Sequence, residues 1–156
     1  MKPVLILFAV LLHLNIQAAH IIGGVAYYEV ISIDTIENTT ALKVGFTMYR
    51  DPFSGGAIFD TDARFGVYRK TGAGPFEWVH TFEQIEHGAI ITENVIIGNI
   101  EHSVQRTTYN FDLELPQGSD YIIAFQRCCR PANLNNVENP GEKGMALQLE
   151  IFAVSS

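Results

Sequence analysis

The feature that most constrains this chain is a period of two. Between Thr107 and Leu115, Tyr109, Phe111, Leu113 and Leu115 fall on one side of an extended backbone, while Asn110, Asp112 and Glu114 fall on the other. Side chains alternate across a strand, so this pattern predicts a strand with one buried and one wet face. Met145, Leu147, Leu149 and Ile151 alternate with Gln148 and Glu150. Leu42, Val44, Phe46 and Met48 alternate with Lys43, Gly45, Thr47 and Tyr49. Phe76, Trp78, His80 and Phe82 alternate with Glu77, Val79, Thr81 and Glu83. An antiparallel sheet packed on one side produces this arrangement. No helical stripe, tandem repeat or low-complexity tract is read after residue 19.

Turn residues punctuate these runs. Asp34 to Thr40 is polar and predicts a hairpin; Asp51-Pro52-Phe53-Ser54-Gly55-Gly56 and Thr71-Gly72-Ala73-Gly74-Pro75 predict loops. Pro116-Gln117-Gly118-Ser119 predicts another, and Arg130 to Gly144 reads as a long ordered loop. Seven or eight strands at this spacing predict an antiparallel β-sandwich. Tyr121 opens the strand after the Pro116 corner. That placement resembles the tyrosine corner of Greek-key sandwiches, where the hydroxyl bonds to backbone a few residues upstream.

The N-terminus has a different character. Lys2 precedes an apolar run from Val4 to Leu12, which ends in Asn15, Gln17, Ala18 and Ala19. A short positive region, an apolar stretch and small residues describe a secretory signal peptide. The run is too short for a spanning helix, which needs about 20 residues. The expected organisation is a signal peptide over residues 1–18, cleaved after Ala18 or Ala19, and a single domain over residues 19–156. The protein is thus expected to be exported, to the cell surface, the extracellular space or the periplasm, and not to span the membrane. Its 156 residues hold 47% hydrophobic and 17% charged side chains, enough apolar surface for a core. The net charge of −7, which becomes −8 once Lys2 is removed, opposes binding to nucleic acid or an anionic membrane.

Three ordered motifs resemble a known family. His20-Ile21-Ile22-Gly23-Gly24-Val25-Ala26-Tyr27-Tyr28 is the first. Met48-Tyr49-Arg50-Asp51 with Gly55-Gly56 and Phe59-Asp60 is the second. Phe125-Gln126-Arg127-Cys128-Cys129-Arg130 with Asn139-Pro140-Gly141 is the third. Together they resemble the N-terminal Ig-like or PKD-like domain of secreted Bacteroidetes surface proteins, often labelled gliding-motility-associated and exported by the type IX route. The resemblance covers the chain after the signal peptide and implies a non-catalytic Ig-like sandwich. Family members are typically long, with further repeats and a C-terminal sorting domain; measured against that resemblance, a chain ending at Ser156 is expected to be a fragment, a truncated gene or a stand-alone version. Val30 or Ile31 and Pro52 stand where members often carry cysteines, which puts the family's usual disulfides in doubt.

The two cysteines here are adjacent. Disulfide Cα atoms lie about 4.4 to 6.8 Å apart, against about 3.8 Å for neighbours across a trans peptide. A Cys128–Cys129 bridge would be strained. A vicinal disulfide, two free thiols and a bond to another chain all compete, with the vicinal bridge favoured. Redox catalysis lacks its CxxC spacing, and zinc lacks its four ligands.

Arg127 and Arg130 flank the cysteines, and Arg50 adjoins Asp51. Arginine–carboxylate pairing with Asp51 or Asp60 is expected as a structural clamp, with a ligand pocket as the alternative. His20, His80, His87 and His102 fit no metal template. Asp51, Asp60 and Asp62 do not have EF-hand spacing. No nucleophile elbow is present. The expected function is a non-catalytic structural or adhesive module with no cofactor or metal, its partner an envelope protein or a glycan. The alternative is a carbohydrate-binding domain that uses Trp78, Tyr49 and Tyr68 for sugar stacking.

Overall fold

The computed structural model describes residues 21–53, 58–127, 138–139 and 143–153. The expected signal peptide, Gly55, Gly56, Cys128, Cys129, Arg130, Pro140 and Gly141 lie outside these. Among the described residues eight strands run in chain order: β1 Ile21–Asp34, β2 Thr39–Arg50, β3 Ala63–Lys70, β4 Glu77–Ile85, β5 Ile91–Ile97, β6 Ile100–Pro116, β7 Asp120–Arg127 and β8 Met145–Ile151. Every pairing is antiparallel, in two sheets ordered β1-β2-β6-β5 and β4-β3-β7-β8. Two antiparallel sheets enclosing one core are consistent with a β-sandwich. The predicted all-β architecture and strand count hold.

Alternation assigns the buried faces. Leu42, Val44, Phe46 and Met48 of β2 face Phe65 and Val67 of β3 and Ile123 and Phe125 of β7 across the interior, all essentially inaccessible to water. Phe65 ties the layers together. Its ring centroid lies 4.8 Å from Phe46, 5.0 Å from Phe111, 5.5 Å from Phe125 and 5.7 Å from Tyr109. Tilted aromatic packing of this kind adds about 0.5–1.5 kcal/mol per pair beyond simple burial.

The end of the sandwich carrying residues 34–39 and 116–121 is laced by short polar contacts. Asp34 accepts the Ile36 and Glu37 amides on one carboxylate oxygen, at 2.8 and 2.9 Å, closing the predicted β1–β2 hairpin as an Asx turn. The Gln117 amide donates to the Asn38 carbonyl, and its Nε2 donates to the Thr39 carbonyl, each at 2.9 Å. Gly118 stands at φ 79° in the same corner, a conformation that favours glycine. The Tyr121 hydroxyl donates to the Pro116 carbonyl at 3.0 Å, which is the geometry of a tyrosine corner.

Two departures from simple alternation matter. Val67 pairs with His80 but Tyr68 pairs with Trp78, so Val79 is an extra residue on β4. This bulge turns Trp78 to the outer face with Tyr68, away from His80 and Phe82. The single face expected for Phe76, Trp78, His80 and Phe82 is therefore corrected: only Phe82 of the four packs against the core. The cause lies also in the opposite sheet. β5 pairs with residues 100–106 of β6, toward the far end of the sandwich, and Val79 and His80 line an open cleft with Leu113 and Leu115 of β6. β5 and β6 themselves form a hairpin that the sequence reading does not single out. Its two-residue Gly98-Asn99 turn has positive φ at both positions, 58° and 68°.

Candidate functional site

The sequence motifs meet at the end of the sandwich opposite the tyrosine corner. Arg50 closes β2, Arg127 closes β7, and Asp60 lies just before β3. Phe59 is buried in the core and fixes the depth of the Phe59-Asp60 segment. Tyr109 on β6 reaches across from the other sheet, and its hydroxyl donates to the Asp60 backbone carbonyl at 2.9 Å. The Asp60 carboxylate is then left facing Arg127, with Nη1 and Oδ2 2.9 Å apart. Among the described residues this is a close ion pair whose N–H is not aligned on the oxygen, so attraction rather than a directed hydrogen bond holds it.

The electrostatics follow from depth. Burial raises the Asp60 carboxyl above the ordinary aspartate value; Arg127 pulls it back and Asp62 pushes it further up. Burial also drives the Tyr109 phenol well above the usual tyrosine range, with the Asp60 charge adding to it, so the phenol remains a donor throughout the physiological range. Arg50, the last residue of β2, is buried at the same end of the sandwich. The Asp51 carboxylate accepts the Phe53 amide at 2.8 Å and caps its own turn.

The segment from 86 to 90, between β4 and β5, is fastened to the same cluster. Thr107, an inward-facing hydroxyl in an otherwise apolar row, donates to the Gly88 carbonyl at 2.9 Å and to the Ala89 carbonyl at 3.2 Å. The His87 ring stands edge-on to Tyr109 and to Phe59. The sequence leads to arginine pairing with Asp51 or Asp60 without choosing among Arg50, Arg127 and Arg130, and it does not single out Tyr109 or Thr107. The one available signal was a hydroxyl at each of two inward positions. Among the described residues no group of three His, Cys, Asp or Glu side chains is placed to hold a metal. Cys128, Cys129 and Arg130 lie outside the described residues.

Comparison with family models, with curated proteins and with solved structures returns no match.

A second feature lies on the β1 side. β1 is an edge strand of 14 residues, and among the described residues it pairs only with β2. Ile22, Val25, Tyr27, Tyr28, Val30, Ile31 and Ile33 along it keep 41–57% of their surface in water. Gly24, Ala26, Tyr28 and Val30 stand opposite Met48, Phe46, Val44 and Leu42, so they point inward. Near Gly24 the sheets close: a Cβ there would meet Leu147 at 2.7 Å and the Thr47 carbonyl at 2.8 Å. Further along, β8 ends at Ile151 while β1 continues to Asp34. A small apolar cleft of about 60 Å³ opens there, lined by Tyr28, Val30, Leu42, Leu115, Tyr121 and Phe152 among others. No described helix is long and apolar enough to cross a membrane.

Proposed function

We propose that this protein is a non-catalytic structural or adhesive module of an exported cell-surface protein. The observation that carries the reading is the exposed apolar edge strand β1. A long edge strand that leaves this many large apolar side chains in water suits a site where another macromolecule sits. The polar end supports the same reading from the other side. Asp60, Arg127 and Tyr109 engage one another, which suits a clamp holding loops in place rather than groups poised on a substrate. The N-terminal segment, read as a signal peptide, supports a location outside the cytoplasm, in the periplasm, at the cell surface or in the extracellular space.

The test is binding of the purified chain, residues 20–156, to isolated cell envelopes. Saturable binding that heat-unfolded protein lacks is expected. Absence of binding to any envelope fraction overturns the reading.

A carbohydrate-binding role is the second reading, and one observation favours it. The bulge at Val79 sets Trp78 on the outer face beside Tyr68, 63% exposed, with its indole N–H held by Thr81 Oγ1 at 3.1 Å. A fixed, exposed indole suits stacking against a sugar ring. Binding to polysaccharide that disappears in Trp78→Ala would establish this role in place of protein adhesion.

A further inference from the structure

We infer that the β1 edge accepts an extended strand from a partner polypeptide, one that is apolar on its inward side and carries Lys or Arg on its outward side. The inference rests on the adhesive-module reading and names how the module would hold its partner.

An edge strand offers every second residue's N–H and C=O to whatever lies beside it, and folded proteins ordinarily block such edges with Lys, Pro or bulges. β1 is bulged near both ends, between Ile21 and Gly23 and between Val30 and Ser32. The eight residues between, Gly23 to Val30, are regular. They hold no Pro and no Lys, and Glu29 is their single charge. The unblocked stretch is long enough to pair with a strand of ordinary length.

Among the described residues the sandwich is also open beneath the Tyr28–Val30 part of this stretch. Tyr28 and Val30 point toward the interior, yet they stay 41% and 47% exposed because β8 has ended below them. The cleft they line is apolar on both walls, with Leu42 and Leu115 on one side and Ile151 and Phe152 on the other. A strand added to β1 beside Tyr28 and Val30 would point an inward apolar side chain at that cleft while its backbone pairs with β1, the mode called strand addition.

Charge identifies the other side of the incoming strand. Around the outer face of this part of the sheet stand Glu29, Asp34, Glu37, Asp112 and Glu114, against Lys43. Basic residues on the outward side complement this field. A second copy of the chain does not, since residues 21–34 hold no Lys or Arg and the molecule carries −7 overall.

The probe is a fluorescein-labelled nine-residue peptide of alternating valine and lysine, titrated into residues 20–156 at physiological salt. Saturable binding is expected, together with slowed amide exchange confined to β1. The same peptide N-methylated at alternate residues keeps its charge but loses backbone donors, and should bind at least tenfold more weakly. Val30→Lys should weaken binding at least tenfold, and Ile96→Lys on β5 should leave it unchanged. Absence of saturable binding, equal binding of the N-methylated peptide, protection away from β1, or dimerisation through β1 without peptide overturns the inference. The exchange measurement uses the unaltered protein, so it decides even if Val30→Lys fails to fold. Envelope binding that survives Val30→Lys overturns strand addition while leaving the adhesive module standing.

Discussion

Asp60 is held from two sides by different parts of itself: Tyr109 of the opposite sheet takes its backbone carbonyl at 2.9 Å, which leaves the carboxylate facing Arg127. The order of these contacts matters. The phenol fixes where the main chain enters β3, and the ion pair then forms at the sandwich end where the chain leaves β2 and β7. Tyr109→Phe removes the anchor and keeps the ring. The Asp60 carbonyl loses its donor in a partly buried place, so unfolding free energy should fall by about 1–2 kcal/mol. Urea denaturation should show a lower midpoint at unchanged slope.

Tyr121→Phe tests the other end of the sandwich. The Pro116 residue is exposed, so water replaces the lost donor more easily than at Asp60. A loss of about 0.5–1 kcal/mol is expected, smaller than for Tyr109→Phe. Equal losses in the two variants would contradict the ranking by burial.

The Asp60 carboxyl gives a pH signature of unusual sign. Its folded value is raised above the unfolded one, so between the two the folded state binds more protons. Stability from this group therefore falls as pH rises through the window just above the ordinary aspartate value, about 3.9. Asp34 is lowered by the Glu37 and Ile36 amides and acts in reverse: its contribution is present above the ordinary value and is lost as pH falls through its depressed one. Subtracting the Asp60→Asn stability curve from that of the unaltered protein should give a negative slope in the acid window. The same subtraction with Asp34→Asn should give a positive one.

Two glycines that look alike in sequence should respond differently. At Gly45 an added Cβ would meet the far end of the Tyr27 side chain, whose ring lies over the glycine and whose hydroxyl reaches Asn110 at 3.5 Å. That ring is half-exposed and can swing away, so Gly45→Ala should cost less than about 1 kcal/mol, with the strand's gain over glycine offsetting part of it. At Gly24 the Cβ would meet the Thr47 backbone carbonyl and Leu147 of the facing sheet. Backbone cannot yield so cheaply, and Gly24→Ala should cost about 1–3 kcal/mol. Thermal unfolding of the two variants side by side decides this.

Much of the fold was legible in residue order because the side-chain period of a strand is a local property. The rows from Leu42 to Met48, from Tyr109 to Leu115 and from Met145 to Ile151 announce their buried faces without reference to any neighbour. Turn chemistry is local in the same way, as at Asp34 and Gly118, and so is the tyrosine that follows a Pro-Gln-Gly corner. Tertiary structure alone decided what depends on two segments at once. The bulge at Val79 arises from pairing with β3, and it moved Trp78 to the face that alternation denied it. Which aspartate meets Arg127 was set by Phe59 seated in the core and by Tyr109 reaching from the other sheet. The open edge at Tyr28 and Val30 follows from β8 ending before β1 does. A period reports which way a side chain points; only the packed sheets determine whether anything is there to meet it.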